Sequence, residues 1–262
     1  MSAMQPSGLS IEAIPAFTDN YIWLIHRGGT ACAVVDPGDS EPVLEELKRR
    51  NMNLAYILIT HHHSDHIGGV STLMEQYPGV QIFAPEDRRI SFGHTICHEG
   101  DNVPLPEMGL NLSVLEVPAH TRSHIAYTED GILFCGDTLF SVGCGRLFEG
   151  TPEQMQSALD KFAQLPADTR VYCTHEYTES NCEFAIRVEP GNEALARRYK
   201  QVRSLREDGE MTLPVTIGEE MAVNPFMRTR VSSVVEAARK IDPAAQPGAP
   251  VMGVIRRWKD NN

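Results

Sequence analysis

The sequence predicts an α/β protein, with layered strands and helices over its first two-thirds and a small helical domain after them. Three observations carry that prediction. Short runs rich in β-branched and aromatic residues alternate with helical periodicity up to about residue 178. Clear strand runs disappear beyond that point. Several of the strand-like runs end in His or Asp, and the carboxyl ends of strands are where an α/β sheet gathers side chains into a crevice. At 262 residues, with 42% hydrophobic and 22% charged residues, the chain can bury a sizeable core.

The strand-like runs are NYIWLIH, TACAVVD, LAYILITH, QIFAP, LNLSVLEV, HIAYTED, GILFCGD and RVYCTH. Asp130-Gly131, between two of them, reads as a hairpin turn. Helical periodicity occupies EPVLEELKRR, VSTLMEQY and PEQMQSALDKFAQL. The last of these starts with a Thr151 cap, Pro152 at the first position and Glu153 in the first turn. Beyond Thr178, FAIRVE, NEALARRYKQVRSLRED and SSVVEAARK read as helices, two of them separated by Pro190-Gly191. The change of character falls near residues 176–182, so the expected domains are 1–178 and 179–262.

A formal net charge of −12 argues against nucleic acid and anionic membranes as partners, because both demand a basic surface. The N-terminal MSAMQPSGLS lacks a basic segment followed by an apolar one, and no apolar run approaches membrane-spanning length. The expectation is a cytoplasmic protein, taken as a monomer. Cys32, Cys97, Cys135, Cys144, Cys173 and Cys182 are scattered without close pairs, which favours reduced thiols over a disulfide framework.

One stretch dominates the chemistry. In LITHHHSDHIGGV, four histidines and an aspartate fall within six consecutive residues. On an extended segment His61 and His63 point the same way, while Asp65 and His66 come where the chain turns into Gly68-Gly69. Mixed imidazole and carboxylate ligands suit zinc, iron or manganese. LSVLEVPAH ends at His120, GILFCGD at Asp137 and RVYCTH at His175, so four apolar runs, with LAYILITH, each deliver a ligand. Seven ligands exceed what one zinc uses, which implies two ions, with the two oxygens of Asp137 suited to bridge them. His62, His94 and His98 read as structural, and His124 as a candidate to orient a ligand.

THHHSDH followed by His120, Asp137 and His175 resembles the metallo-β-lactamase superfamily. The resemblance implies an αββα sandwich with a binuclear site. It also implies that His61, His63 and His120 hold one ion, that Asp65, His66 and His175 hold the other, and that Asp137 bridges. Such a centre produces hydroxide from water at neutral pH and polarises the attacked carbonyl or phosphoryl oxygen. Asp65 is then either the carboxylate that orients the hydroxide and handles its proton, or a ligand alone. Cys144 reads as a packing residue.

The stretches IPAFTDNYIWLI, GDTLFSVGCGRLFEGT, THEYTESN, TIGEEMAVNPFMR and IRRWKD are similar to one branch of that superfamily, the hydroxyacylglutathione hydrolases, over essentially the whole chain. That branch implies hydrolysis of S-D-lactoylglutathione to D-lactate and glutathione. Arg256 and Lys259 stand three residues apart near the end of an acidic chain, on one face if the segment is helical. The resemblance maps contacts to the glycine carboxylate of glutathione onto Arg256, Lys259 and Tyr177, and a further tripeptide contact onto Arg146. Many relatives carry Tyr where this chain has Phe148, so the pocket wall is expected to remain and a phenolic hydrogen bond to be lost. The competing enzyme readings are a lactonase, another thioesterase, a β-lactamase, a one-iron persulfide dioxygenase and an RNA-processing nuclease of the same fold. A metal-stabilised binding module without catalysis is the reading from another class.

Overall fold

The structure, a computed structural model, describes residues 8–261. Residues 1–7 of the N-terminal stretch read above for a leader lie outside the described residues. Packing divides the chain into two compact units. The first runs to Glu116 and takes in Ile125–Glu129; the second comprises Val117–His124 and everything from Asp130.

The first unit is built from β1 (Ser10–Ala16), β2 (Asn20–His26), β3 (Ala31–Val35), α1 (Glu41–Arg50), β4 (Asn53–Leu58), α2 (Ser64–Ile67), α3 (Val70–Gln76), β5 (Gln81–Pro85), β6 (Thr95–Cys97), β7 (Asn102–Leu105), β8 (Leu110–Glu116) and β9 (Ile125–Glu129). β1 to β6 form one sheet in sequence order. Its first three strands are antiparallel neighbours and its last four parallel ones. Parallel neighbours need crossovers, and α1 and α3 supply them between β3, β4 and β5. α1 follows from its sequence. Pro42 lies in its first turn, Lys48, Arg49 and Arg50 complement the C-terminal dipole, and Asn51 ends it in the left-handed region at φ 54°. Ile22, Leu24, Val34 and Ile57 of the sheet close a core with Val43 and Leu47 of α1 and Val70 and Leu73 of α3. β7, β8 and β9 are antiparallel neighbours.

The second unit holds β10 (Ile132–Gly136), β11 (Leu139–Phe140), β12 (Gly143–Cys144), α4 (Pro152–Phe162), β13 (Arg170–Cys173), α5 (Thr178–Val188), α6 (Glu193–Glu207), β14 (Val215–Thr216), α7 (Ile217–Val223), α8 (Ser232–Arg239) and α9 (Ala249–Asp260). β10 and β13 pair in parallel, and β14 pairs antiparallel to β13. α4 begins where the sequence predicts, with the Thr151 cap extended to a full capping box by Gln154. α4 packs on α9, and α5 packs on α6 and α8.

Every predicted strand and helix has a counterpart, the structure adds β1, β6, β7, β11, β12 and α2, which no run announced, and three further features differ from expectation. α5 starts at Thr178, ahead of FAIRVE, because TESNCEF continues the same helix. β14 is a short strand inside the stretch read as wholly helical. α7, which no periodicity announced, is only seven residues long and is set by a capping box between Thr216 and Glu219. Asp130-Gly131 is the two-residue link between β9 and β10, with Gly131 at φ 75°, which a glycine tolerates. All six cysteines are buried free thiols. No helix among the described residues is long and apolar enough to cross a membrane.

Candidate metal and substrate site

Each unit carries a set of imidazoles and carboxylates. In the first, β3 and β4 run parallel and their carboxyl ends lie side by side. β3 delivers Asp36 and β4 leads into Thr60, His61 and His63. Asp36 is 1% exposed. Its Oδ1 accepts from the Thr60 N–H at 2.7 Å, and its Oδ2 accepts from Thr60 Oγ1 at 2.7 Å and from His66 Nδ1 at 3.0 Å. The Thr60 hydroxyl gives its proton to Asp36, so it accepts from His61 Nδ1, 3.1 Å away. This network assigns the tautomers: His61 and His66 each carry the proton on Nδ1 and the lone pair on Nε2.

Each of these Nε2 atoms has a further imidazole or carboxylate atom close by. His61 Nε2 is 3.0 Å from His63 Nδ1. The rings of His61 and His66 lie 4.0 Å apart, and His66 Nε2 is 3.6 Å from Asp65 Oδ2. Asp65 is itself held by Asn20 Nδ2, which donates to Oδ2 at 3.2 Å. Two glycines allow the tight packing of this corner. A Cβ on Gly38 would run into the Asp65 backbone, and one on Gly69 would lie 2.7 Å from the Pro37 carbonyl. His62 turns away toward Asp87, its Nδ1 3.6 Å from Oδ2.

In the second unit, β10 ends at Gly136 and presents Asp137, and β13 ends at Cys173 just before His175. Asp137 turns a different oxygen to each of two histidines. Oδ2 is 3.4 Å from His120 Nε2, and Oδ1 is 3.3 Å from His175 Nε2. His120 Nδ1 donates to the Arg146 carbonyl at 2.9 Å, so its Nε2 also carries the lone pair. His124 is fully buried, and its Nε2 accepts from the Asp137 N–H at 3.1 Å. It therefore fixes the backbone of the aspartate, and its ring also meets the His120 ring edge-on at 6.1 Å.

Three aromatic rings surround these groups. Tyr177 stacks on His175 at 4.7 Å with 6° between planes, Phe140 meets His175 edge-on at 5.7 Å, and Phe148 meets His120 edge-on at 5.2 Å. Phe148 is 60% exposed, so its face is open to solvent. α9 brings Arg256 and Lys259 to β12 and α5. The buried Arg256 donates from Nη1 to the Cys144 carbonyl at 2.9 Å and from Nη2 to Asp260 at 2.8 Å. Arg146 Nε lies 3.8 Å from the same Asp260 oxygen. Lys259 Nζ donates to Asn181 Oδ1. Burial, then the neighbouring Arg256, depresses the Lys259 ammonium to about 8.

The donor sets fit divalent ions. They mix neutral imidazole nitrogen with carboxylate oxygen, and His61, His66 and His120 each have Nδ1 committed to an acceptor, which fixes Nε2 as the ligating atom. Two residues of this support were missed in the sequence. Asp36 terminates the apolar run TACAVVD just as Asp137 terminates GILFCGD, so the same rule would have found it. Asn20, six residues before the end of NYIWLIH, carried no such signal.

Residues 16–175 match the family described as the metallo-β-lactamase superfamily, and residues 176–262 match hydroxyacylglutathione hydrolase C-terminus. A relative from Cupriavidus metallidurans named hydroxyacylglutathione hydrolase is 49% identical over 263 residues, covering 96% of this chain and 98% of its own. The chain belongs to the hydroxyacylglutathione hydrolase family. A member of the family from Aliivibrio fischeri strain MJ11 is 50% identical over 96% of this chain and 99% of its own. Solved structures carry the superfamily fold at lower identity. ETHE1 from Myxococcus xanthus has a TM-score of 0.63 at 21% identity, covering 96% of this chain and 97% of its own. BLEG-1 B3 metallo-β-lactamase has a TM-score of 0.62 at 22% identity, covering 83% of this chain and 99% of its own. The chain therefore has the metallo-β-lactamase fold with a C-terminal helical segment of the hydroxyacylglutathione hydrolase type.

Proposed function

We propose that this protein hydrolyses S-D-lactoylglutathione, and 2-hydroxyacyl thioesters of glutathione like it, to the hydroxy acid and glutathione. The observation that carries the reading is near-full-length similarity at about half identity to relatives named hydroxyacylglutathione hydrolase. In this reading residues 1–178 are the catalytic domain and 179–262 the helical substrate-binding domain of a cytoplasmic monomer. His61, His63 and His120 hold one divalent ion, Asp65, His66 and His175 hold a second, and Asp137 bridges. Zinc is the first choice, with iron and manganese compatible with the same donors. The oxygens of Asp137, each turned to a different histidine, support the bridging role.

The bound ions supply a hydroxide at neutral pH and an electrophile for the thioester carbonyl oxygen. The chain's own residues orient, shield and bind. Asn20 holds Asp65 Oδ2 so that the carboxylate keeps one direction, from which it takes up the proton of the attacking water. Asp36 and the Arg146 carbonyl fix the ligating histidines. Phe148, Phe140 and Tyr177 form an apolar wall that limits water around the acyl group. Lys259, Arg256 and the Tyr177 hydroxyl meet the glycine carboxylate of the tripeptide, and Arg146 makes a further contact to it. Water adds to the thioester carbon, the C–S bond breaks, and the sulfur leaves as glutathione thiolate.

The test is hydrolysis of S-D-lactoylglutathione by metal-loaded protein, beside a matched thioester that lacks the glutathione peptide. Fast turnover of the first alone is the expected result. Turnover of both would overturn the substrate assignment and favour a general thioesterase. Turnover of neither, with metal bound, would overturn thioester hydrolysis and leave a lactonase or another hydrolase of the fold.

A further inference from the structure

The loop from Leu139 to Cys144, formed by β11 and β12, is gripped from outside along its length. The Phe140 carbonyl accepts from Asn224 Nδ2 at 3.2 Å, and the Ser141 carbonyl from Asn181 Nδ2 at 2.8 Å. The Val142 N–H donates to Glu220 Oε2 at 2.8 Å. The Gly143 carbonyl accepts from Asn224 Nδ2 at 2.9 Å, and the Cys144 carbonyl from Arg256 at 2.9 Å. Five consecutive residues are thus held by four side chains from α5, the end of α7, and α9. Val142 sits at φ 60°, a costly place for a β-branched residue, so the grip holds a conformation the loop would not choose alone.

One of the four side chains has a second task. Asn181, 1% exposed on α5, donates from Nδ2 to the loop and accepts at Oδ1 from Lys259. A Cβ on Gly143 would lie 2.5 Å from Asn181 Nδ2, so glycine at 143 makes room for the amide. We propose that Asn181 is a positioning residue for substrate recognition, fixing the Lys259 ammonium to the backbone of the 139–144 loop. This rests on the reading above that Lys259 meets a glutathione carboxylate.

The physical reason is the lysine stem. An ammonium on four rotatable carbons is a poorly aimed charge, and ordering it costs conformational entropy at the moment of binding. Asn181 takes that cost in the unliganded protein. The same amide ties the cation to the loop that leads to Arg146, so the groups meeting the tripeptide keep fixed separations. An amide suits the post. It accepts from Lys259 without neutralising it, as a carboxylate would, and its two ends serve two partners at once.

The test is a double-mutant cycle on KM. Wild type, Asn181→Ala, Lys259→Ala and the double variant are assayed with S-D-lactoylglutathione and with the same thioester carrying an amide in place of the glycine carboxylate. Asn181→Ala is expected to raise KM for the intact substrate about tenfold, the loss of one charge-assisted hydrogen bond, with kcat within about twofold. It should leave KM for the amide substrate unchanged and add nothing in the Lys259→Ala background. Asn181→Ser keeps a hydroxyl for the Ser141 carbonyl and guards against loss of folding; the same carboxylate-dependent rise is expected of it. A KM rise equal for both substrates, or fully additive with Lys259→Ala, would overturn the proposal, as would no rise with Asn181→Ala while Lys259→Ala raises KM. If Lys259→Ala itself leaves KM unchanged, the carboxylate reading of Lys259 falls first.

Discussion

At the scale of the residue, support decides what a ligand can do. Asp36 is the best example, since one buried carboxylate orders Thr60, His61 and His66 together. Asp36→Ala should weaken divalent metal affinity by roughly 10- to 100-fold, checked by competition with a chromogenic chelator. Phe148 gives a change in the other direction. Phe148→Tyr restores the hydroxyl common among relatives, and KM for the glutathione thioester should fall about two- to fivefold, the worth of one neutral hydrogen bond at a half-open position. Lys259 sets a pH limit. Its ammonium loses its proton near 8, so attraction for a carboxylate is present below that pH and lost above it. In steady-state assays kcat/KM should drop about tenfold between pH 7 and pH 9, and Lys259→Met should flatten that limb.

At the scale of the element, the 139–144 loop depends on a carboxyl with no exposure. Burial pushes Glu220 up to about 7. A carboxyl raised in the folded state binds a proton that the unfolded chain releases. Its contribution to stability is therefore full below pH 4.5 and lost as pH rises through about 7. The loss is on the order of 3 kcal/mol. Glu220→Gln, a neutral acceptor of the same shape, should show a smaller fall in thermal stability than wild type between pH 5 and pH 8, read by circular dichroism. Sequence periodicity served the long elements well, α1 and α4 most of all, because their caps and dipole-matched charges are local. It did not announce α7, β11, β12 or β14. Elements of two to seven residues are fixed by partners distant in the chain, such as the Asn224 and Glu220 contacts, and local pattern carries no trace of these.

At the scale of the whole molecule, the ligand residues were legible because four of them end apolar runs and the other three follow His61 within five residues, whereas their supports were only partly so. Asp36 obeys the same rule, but Asn20 and Asn181 are single amides whose roles exist only once the chain is folded. The arrangement of like groups also has a cost. A divalent cation satisfies imidazole nitrogens and carboxylate oxygens gathered in this way better than they satisfy one another, so bound ions should stabilise the fold as well as enable chemistry. Elemental analysis should find two divalent ions per chain, and chelation should lower the melting temperature by about 4 °C or more.

The six buried cysteines acquire a meaning from the proposed product. An enzyme that releases a thiol works in a pool of thiols and their disulfides, where an accessible thiolate would be capped. Burial holds Cys97 near 11 and Cys32 and Cys182 near 12, and Cys135, Cys144 and Cys173 are raised in the same way. None offers the nucleophile that thiol–disulfide exchange requires. The folded chain is built to be deaf to the oxidation state of the metabolite it would handle, and its turnover should not change as that pool moves from reduced to oxidised.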